Sequence, residues 1–331
     1  MKKVFRVLGI VVLLILVAIG GIATYVKLAL PDVGNPPEVK ADMNAETIQR
    51  GEYLANNVMI CMDCHSTRDW AAFSGPLKPG TLGQGGELFD QSMGFPGKYY
   101  SANITPSGIG DWTDGEIFRA ITTGVRKSGK PIFPVMPHKN YGQLCEEDIL
   151  AVVAYLRTLA PIDYTVPESE SDFPMNFIIN TIPEPAHLSP MPSKTDEVAY
   201  GKYLVTAAAC AECHTPFDGK AFDEKFTLAG GRQFPLPGGI VTSANLTPDM
   251  ETGIGKLTKE NFVGLFSAYR DSSMRYRPVS QQDFNTIMPW TMYSGMTDED
   301  LGAIYAYLRT LQPVKQKVER GYAKNMAVVS K

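Results

Sequence analysis

The chain has 331 residues and a net charge of −4 at neutral pH. That length exceeds the usual single domain and favours two. The acidic surplus disfavours nucleic acid as a partner and suits a solvated surface that a basic patch on another protein can steer.

The first predicted element is a transmembrane anchor within residues 1–30. Val7 to Val26 is a run of uncharged, mostly Val, Ile, Leu, Ala and Gly residues between Arg6 and Lys27, long enough to cross about 30 Å of hydrocarbon. Gly21-Ile22-Ala23 also resembles a small-residue cleavage site, so a cleaved signal peptide is the alternative. Lys2, Lys3 and Arg6 keep the N-terminus cytoplasmic and send the rest across the inner membrane to the periplasm. With the four cations of residues 1–27 set apart, the exported part carries about −8.

A linker at 31–43 leads to a first domain at 44–160. It begins with a helix at 46–57 carrying Gly51-Glu52-Tyr53-Leu54, followed by Cys61-Met62-Asp63-Cys64-His65. A loop rich in Gly and Pro follows at 83–97, then Ser101-Ala102-Asn103-Ile104-Thr105-Pro106, a helix at 114–123, Met136-Pro137 and Tyr141. A helix at 146–159 closes the domain, with Ile149, Val152, Val153, Leu156 and Leu159 at helical spacing.

Residues 161–194 are proline-rich and read as an extended linker. Phe173, Met175, Phe177, Ile178 and Ile179 interrupt it, as a strap over both domains or as a contact for a partner or membrane surface; the strap is the expectation. A second domain at 195–313 repeats the first. Its helix at 195–209 carries Gly201-Lys202-Tyr203-Leu204, and Cys210-Ala211-Glu212-Cys213-His214 follows. A loop at 230–239, Ser243-Ala244-Asn245-Leu246-Thr247-Pro248, a helix at 258–269, Met288-Pro289, Tyr293 and a helix at 298–311 come next, the last capped by Thr297. A C-terminal extension occupies 314–331. Matched blocks in one order make this a duplicated domain.

Each CxxCH motif reads as a covalent c-type haem site. Two thiols on one local turn can meet the two vinyl groups of a porphyrin, and the adjacent histidine can reach the iron. A thioredoxin-like CxxC needs no following histidine. A zinc site needs two further ligands near each pair, and the chain has only Cys145, His138 and His187 to spare. The expected cofactors are therefore two haems, on Cys61 and Cys64 and on Cys210 and Cys213, with His65 and His214 as axial ligands to iron.

The repeat also picks the sixth ligands. Met136 lies 71 residues after His65 and Met288 lies 74 after His214, each followed by Pro and then by the matched Tyr. A thioether opposite imidazole raises the reduction potential and closes the iron, as electron transfer requires. His138 corresponds to Trp290 and His187 lies in the linker, so both are expected at the surface or near propionates. Cys145 corresponds to Thr297 and is expected to be a free, non-ligating thiol. In the longer loop before Met288, Arg270, Arg275 and Arg277 could hold propionates or an acidic partner, or be solvated.

Each half resembles class I cytochrome c in its Gly-x-Tyr helix, CxxCH, Met-Pro and closing Tyr-Leu helix. The Asn-Ile/Leu-Thr-Pro segment and the Ala-Tyr-Leu-Arg-Thr-Leu ending are similar to those of cytochrome c subunits of bacterial alcohol and gluconate dehydrogenases. Those subunits carry three CxxCH motifs, whereas this chain has two. The resemblance implies an all-α fold, an N-terminal transmembrane helix followed by two tandem class I cytochrome c domains, with Gly51 and Gly201 letting the terminal helices cross against Tyr155 and Tyr307. It also implies outer-sphere electron transfer between redox partners: a quinol-oxidising complex or periplasmic dehydrogenase on one side and an oxidase or cytochrome on the other. The expectation is an electron carrier with no catalytic residues of its own. The alternative is a dihaem cytochrome c peroxidase, which needs one exchangeable haem position.

Overall fold

A computed structural model of the chain describes residues 2–319 except 220, 237, 281 and 282; most of the expected C-terminal extension lies outside the described residues. Helix α1, Lys2–Leu28, is long and apolar enough to cross a membrane, and none of it is buried in the rest of the protein.

In the first half, α2 (Ala45–Tyr53) starts where the Asn44 side chain accepts the Thr47 amide and runs into a single wider turn at Leu54–Val58. Helix α3 (Asp114–Thr123) has a reciprocal cap between Thr113 and Glu116 and stops at Gly124, whose φ of 73° is left-handed. Helix α4 (Glu146–Thr158) opens with three acids, which suit the positive end of the helix dipole. It buries Ile149, Val152, Val153 and Leu156.

Helix α5 (Met175–Ile178) is a short turn in the linker. In the second half, α6 (Glu197–Ala207), α7 (Lys259–Ser267) and α8 (Asp298–Thr310) take the places of α2, α3 and α4, capped by Asp196, Thr258 and Thr297.

Helices α2 and α4 cross at Gly51, and α6 and α8 cross at Gly201. A Cβ on Gly51 would collide with the Ala151 carbonyl and press to 3.0 Å on Tyr155 Cβ; one on Gly201 would meet Ala303 and Tyr307 in the same way. The expected close crossing is present in both halves.

The architecture is mostly helical rather than all-α. Strand β1 (Leu88–Phe89) pairs antiparallel with β2 (Gly97–Tyr100), and β2 pairs with β3 (Glu170–Ser171). In the second half β4 (Gln233–Leu236) and β5 (Gly239–Thr242) form a hairpin. These strands fall in or beside segments expected to be loop. Two to four residues show too little alternation to reveal a strand.

The linker is tied to the first half and to the membrane-proximal helix. Its strand β3 extends the first-half sheet, and its apolar tip meets the end of α1, where Lys27 Nζ donates to the Asn176 carbonyl at 2.7 Å.

The halves are joined by their equivalent surfaces. Tyr203 Oη donates to Asp148 and Tyr53 Oη to Asp300, both at 2.7 Å. Asp148 is buried and also accepts a bidentate pair from Arg50 at 2.9 and 2.8 Å. At another edge of the joint, the longer second-half loop lies on residues 71–74. Phe73 stacks on Tyr269 with 5.7 Å between centroids, and the Phe73 amide donates to the Arg277 carbonyl. One contiguous core runs through both halves.

Candidate haem sites

Each CxxCH motif forms a short helical turn entered from a left-handed residue. Ile60 (φ 48°) precedes Cys61–Cys64, and Ala209 (φ 49°) precedes Cys210–His214. A β-branched isoleucine pays a steric cost there, so the turn is held by its surroundings rather than by local preference.

The two histidines are oriented alike. Nδ1 of His65 lies 2.7 Å from the Ala102 carbonyl, and Nδ1 of His214 lies 2.7 Å from the Ala244 carbonyl. Those carbonyls can only accept, which puts the ring proton on Nδ1 and leaves the Nε2 lone pair for a metal. Burial lowers both imidazole pKa values, favouring the neutral form that ligates.

The repeated Ser-Ala-Asn-x-Thr-Pro block positions those carbonyls. Asn103 Oδ1 accepts from Thr105 N and Oγ1 at 3.0 and 2.7 Å, and Asn245 Oδ1 accepts from Thr247 N and Oγ1 at 2.9 and 2.7 Å. Gly85 and Gly230 donate to the His65 and His214 carbonyls at 2.9 and 2.7 Å. Both have positive φ, and a Cβ on either would strike Ala102 or Ala244, so only glycine fits between histidine and carbonyl.

Met136 and Met288 are half-buried against the core. Each starts a tight three-residue turn centred on proline. His138 N donates to Met136 O at 2.7 Å and Trp290 N to Met288 O at 2.8 Å, with Pro137 and Pro289 at ψ 55° and 61°. Tyr141 Oη then donates to Met59 O and Tyr293 Oη to Ala208 O, both at 3.0 Å. Each bond ties a methionine loop to the residue two before the first motif cysteine.

The second methionine loop also rests on the first half. Ser74 Oγ donates to Met288 O at 2.6 Å, and Ser74 N donates to Asn285 Oδ1 at 2.8 Å.

Cys61, Cys64 and Cys210 are half-buried, and Cys213 is exposed. Burial pushes Cys61 and Cys210 up to about 12, whereas a CxxC redox centre needs a depressed thiol. Among the described residues, no group of three or more His, Cys, Asp and Glu side chains could hold a metal ion by itself, which removes the zinc alternative. Paired thiols, a histidine with free Nε2 and a clamped methionine in each half fit haem c.

Asp63, inside the first motif, is buried and pairs with Arg68 at 3.0 Å, while Arg68 covers Trp70 at 4.2 Å.

The remaining named residues each have a defined place, and Cys145 is a free thiol as expected. His138 is 1% exposed rather than at the surface, and a Cβ at Gly124 would collide with its ring; its counterpart in the second half, Trp290, is half-buried. The three loop arginines are engaged within the protein. Arg270 donates to the Ser294 and Met296 carbonyls and to Asp298, Arg275 donates to the Thr291 carbonyl, and Arg277 covers Phe73. Cys145 is buried with its Sγ 3.2 Å from Tyr203 Oη, at the joint between halves. His187 is exposed, as expected.

Sequence reasoning did not assign roles to Tyr141 and Tyr293, Asp148 and Asp300, Gly85 and Gly230, or Ser74. All but Ser74 recur in register, and that recurrence is the signal that could have found them.

Residues 198–312 match the family model described as Cytochrome c. The chain is similar to the cytochrome c subunit of alcohol dehydrogenase (quinone) from Gluconacetobacter polyoxogenes, 29% identical over 292 residues that cover 82% of this chain and 58% of that one. The gluconate 2-dehydrogenase cytochrome c subunit of Pantoea cypripedii is 27% identical, covering 81% of this chain and 60% of its own length. A protein named diheme cytochrome c-type from Cereibacter sphaeroides is 29% identical, covering 86% of this chain and 92% of that protein. The chain thus spans about three-fifths of the two dehydrogenase subunits. These relatives support a covalently bound haem c and a redox subunit, and they lend no support to the peroxidase alternative.

Proposed function

We propose that the chain is a membrane-tethered dihaem c-type cytochrome of the periplasmic face of the inner membrane, held there by α1. In this reading residues 44–160 and 195–313 are tandem class I cytochrome c domains. Cys61 and Cys64, and Cys210 and Cys213, carry the two haems by thioether bonds. His65 with Met136, and His214 with Met288, would ligate the two irons. The observation that carries the reading is the matched 2.7 Å contact of each motif histidine with a backbone carbonyl, which leaves Nε2 to ligate in both halves.

Bound haem supplies a one-electron couple at each site. The protein holds each imidazole in one tautomer and keeps each thioether on a clamped loop. Nothing in this arrangement calls for a catalytic residue. Electrons would enter from a quinol-oxidising complex or periplasmic dehydrogenase and leave to a terminal oxidase or another cytochrome. The similarity to dehydrogenase cytochrome subunits supports a dehydrogenase as donor.

The test is a potentiometric titration of the purified protein, following the haem spectrum and the far-red methionine-to-iron band of the ferric form. Two low-spin haems that both show the band and both resist carbon monoxide support the proposal. A haem that lacks the band and binds carbon monoxide would return the case to an enzyme. Met136→Ala and Met288→Ala are each expected to lower one potential and open one site.

A further inference from the structure

We infer that the linker tip at residues 173–182 is a second membrane contact, seated in the headgroup layer beside the exit of α1, and that it fixes how the haem-bearing halves stand on the bilayer. The inference rests on α1 being a retained anchor.

Lys27 is the first charge after the apolar span, so its ammonium marks the level where hydrocarbon gives way to headgroups. That ammonium donates to the Asn176 carbonyl at 2.7 Å and lies 4.7 Å from the centroid of the Phe177 ring. The height of the tip is therefore set by the span itself. At this level the protein exposes large apolar side chains: Phe173 at 81% and Leu28 at 82%, with Tyr25 and Ile178 also exposed. Aromatic and aliphatic groups beside a span exit match the interfacial belt of membrane proteins.

The tip is fastened to the first half. Strand β3 pairs with β2, the Asp172 amide donates to Pro96 O at 3.0 Å, and Gln91 Nε2 donates to Asp172 at 2.8 Å. A single helix would leave the exported halves free to swivel, whereas span and tip together make two points of attachment. Glu168, Glu170 and Asp172 precede the tip, and anionic lipid would repel them. The occupant is therefore a zwitterionic lipid surface, entered by apolar side chains rather than drawn by charge.

The experiment uses the full haem-loaded chain in palmitoyl-oleoyl phosphatidylcholine vesicles, with p-benzoylphenylalanine in place of Phe173 or, in a second sample, of Leu28. Illumination is expected to give lipid adducts at both positions, detected by mass spectrometry. An adduct at Leu28 with none at Phe173 overturns the tip contact and leaves the anchor standing. No adduct at either overturns the anchor reading itself. In oriented bilayers, electron paramagnetic resonance of the ferric haems is expected to show a narrow range of haem tilts that broadens in Phe173→Ser/Ile178→Ser; an unchanged distribution also overturns the inference.

Discussion

Tyr203 and Asp148 belong to opposite halves of the chain and share a 2.7 Å hydrogen bond in the joint between them. The exchange is reciprocal, because Tyr53 of the first half gives the same bond to Asp300 of the second. Each Gly-x-Tyr helix thus reaches across to the first turn of the other half's closing helix. Asp148 lies beneath the surface, where its carboxylate is hydrogen-bonded by Tyr203 and Arg50.

A hydrogen bond to a buried charge is worth about 1.5–3 kcal/mol. Tyr203→Phe is expected to lower stability by about that amount, read as a lower guanidinium midpoint of the haem-loaded protein. In Tyr53→Phe/Tyr203→Phe the halves are expected to unfold in separate transitions. One transition at the wild-type midpoint would show that other contacts hold the joint.

The helix crossings allow no side chain. Gly51→Ala would drive a methyl into the Ala151 carbonyl, and Gly201→Ala one into Ala303. Overpacking costs about 1–3 kcal/mol where the core can give, and more against backbone that cannot. Each variant is expected to carry one haem per chain, measured by pyridine haemochrome absorbance against protein mass. Full haem content in both would refute the crossing as a requirement.

Tyr141 and Tyr293 clamp the methionine loops. Tyr141→Phe is expected to weaken the far-red methionine-to-iron band on warming at a lower temperature than in the native protein, by half of its total amplitude, and Tyr293→Phe to do the same for the other half. Melting of the band at the native temperature in both variants would mean that the prolines alone hold the loops.

Ser74 is a first-half residue whose hydroxyl bonds to Met288 O. Ser74→Ala is expected to shift the second-half potential, the one displaced in Met288→Ala, while leaving the other in place. A shift confined to the potential displaced in Met136→Ala would contradict that connection.

Much of this was legible in the residues. The duplication, both motifs and the helix at 114–123 follow directly from composition and order, the last because Thr113, Glu116 and Gly124 mark its ends. Elsewhere tertiary structure intervened. Helix α2 continues beyond Tyr53 as a wider helical turn over Leu54–Val58, a change of winding that the residues do not announce. The strands were hidden because Gly- and Pro-rich stretches of such length carry no alternation. His138 was misplaced because histidine is usually partly exposed, and only packing against Gly124 shows it inside. Nothing local says that Phe177 meets Lys27, 150 positions earlier.

The reciprocal tyrosine–aspartate exchange also has a bearing on what one half would do alone. Each half carries both the donor and the acceptor, so the surface it turns to its neighbour is chemically complementary to itself, as in an isologous dimer. A single excised half, loaded with haem, would present an unfilled copy of the joint and would pair with another molecule of its own kind. The covalent linker raises the local concentration of the proper neighbour, and in doing so keeps one chain from zipping onto the next.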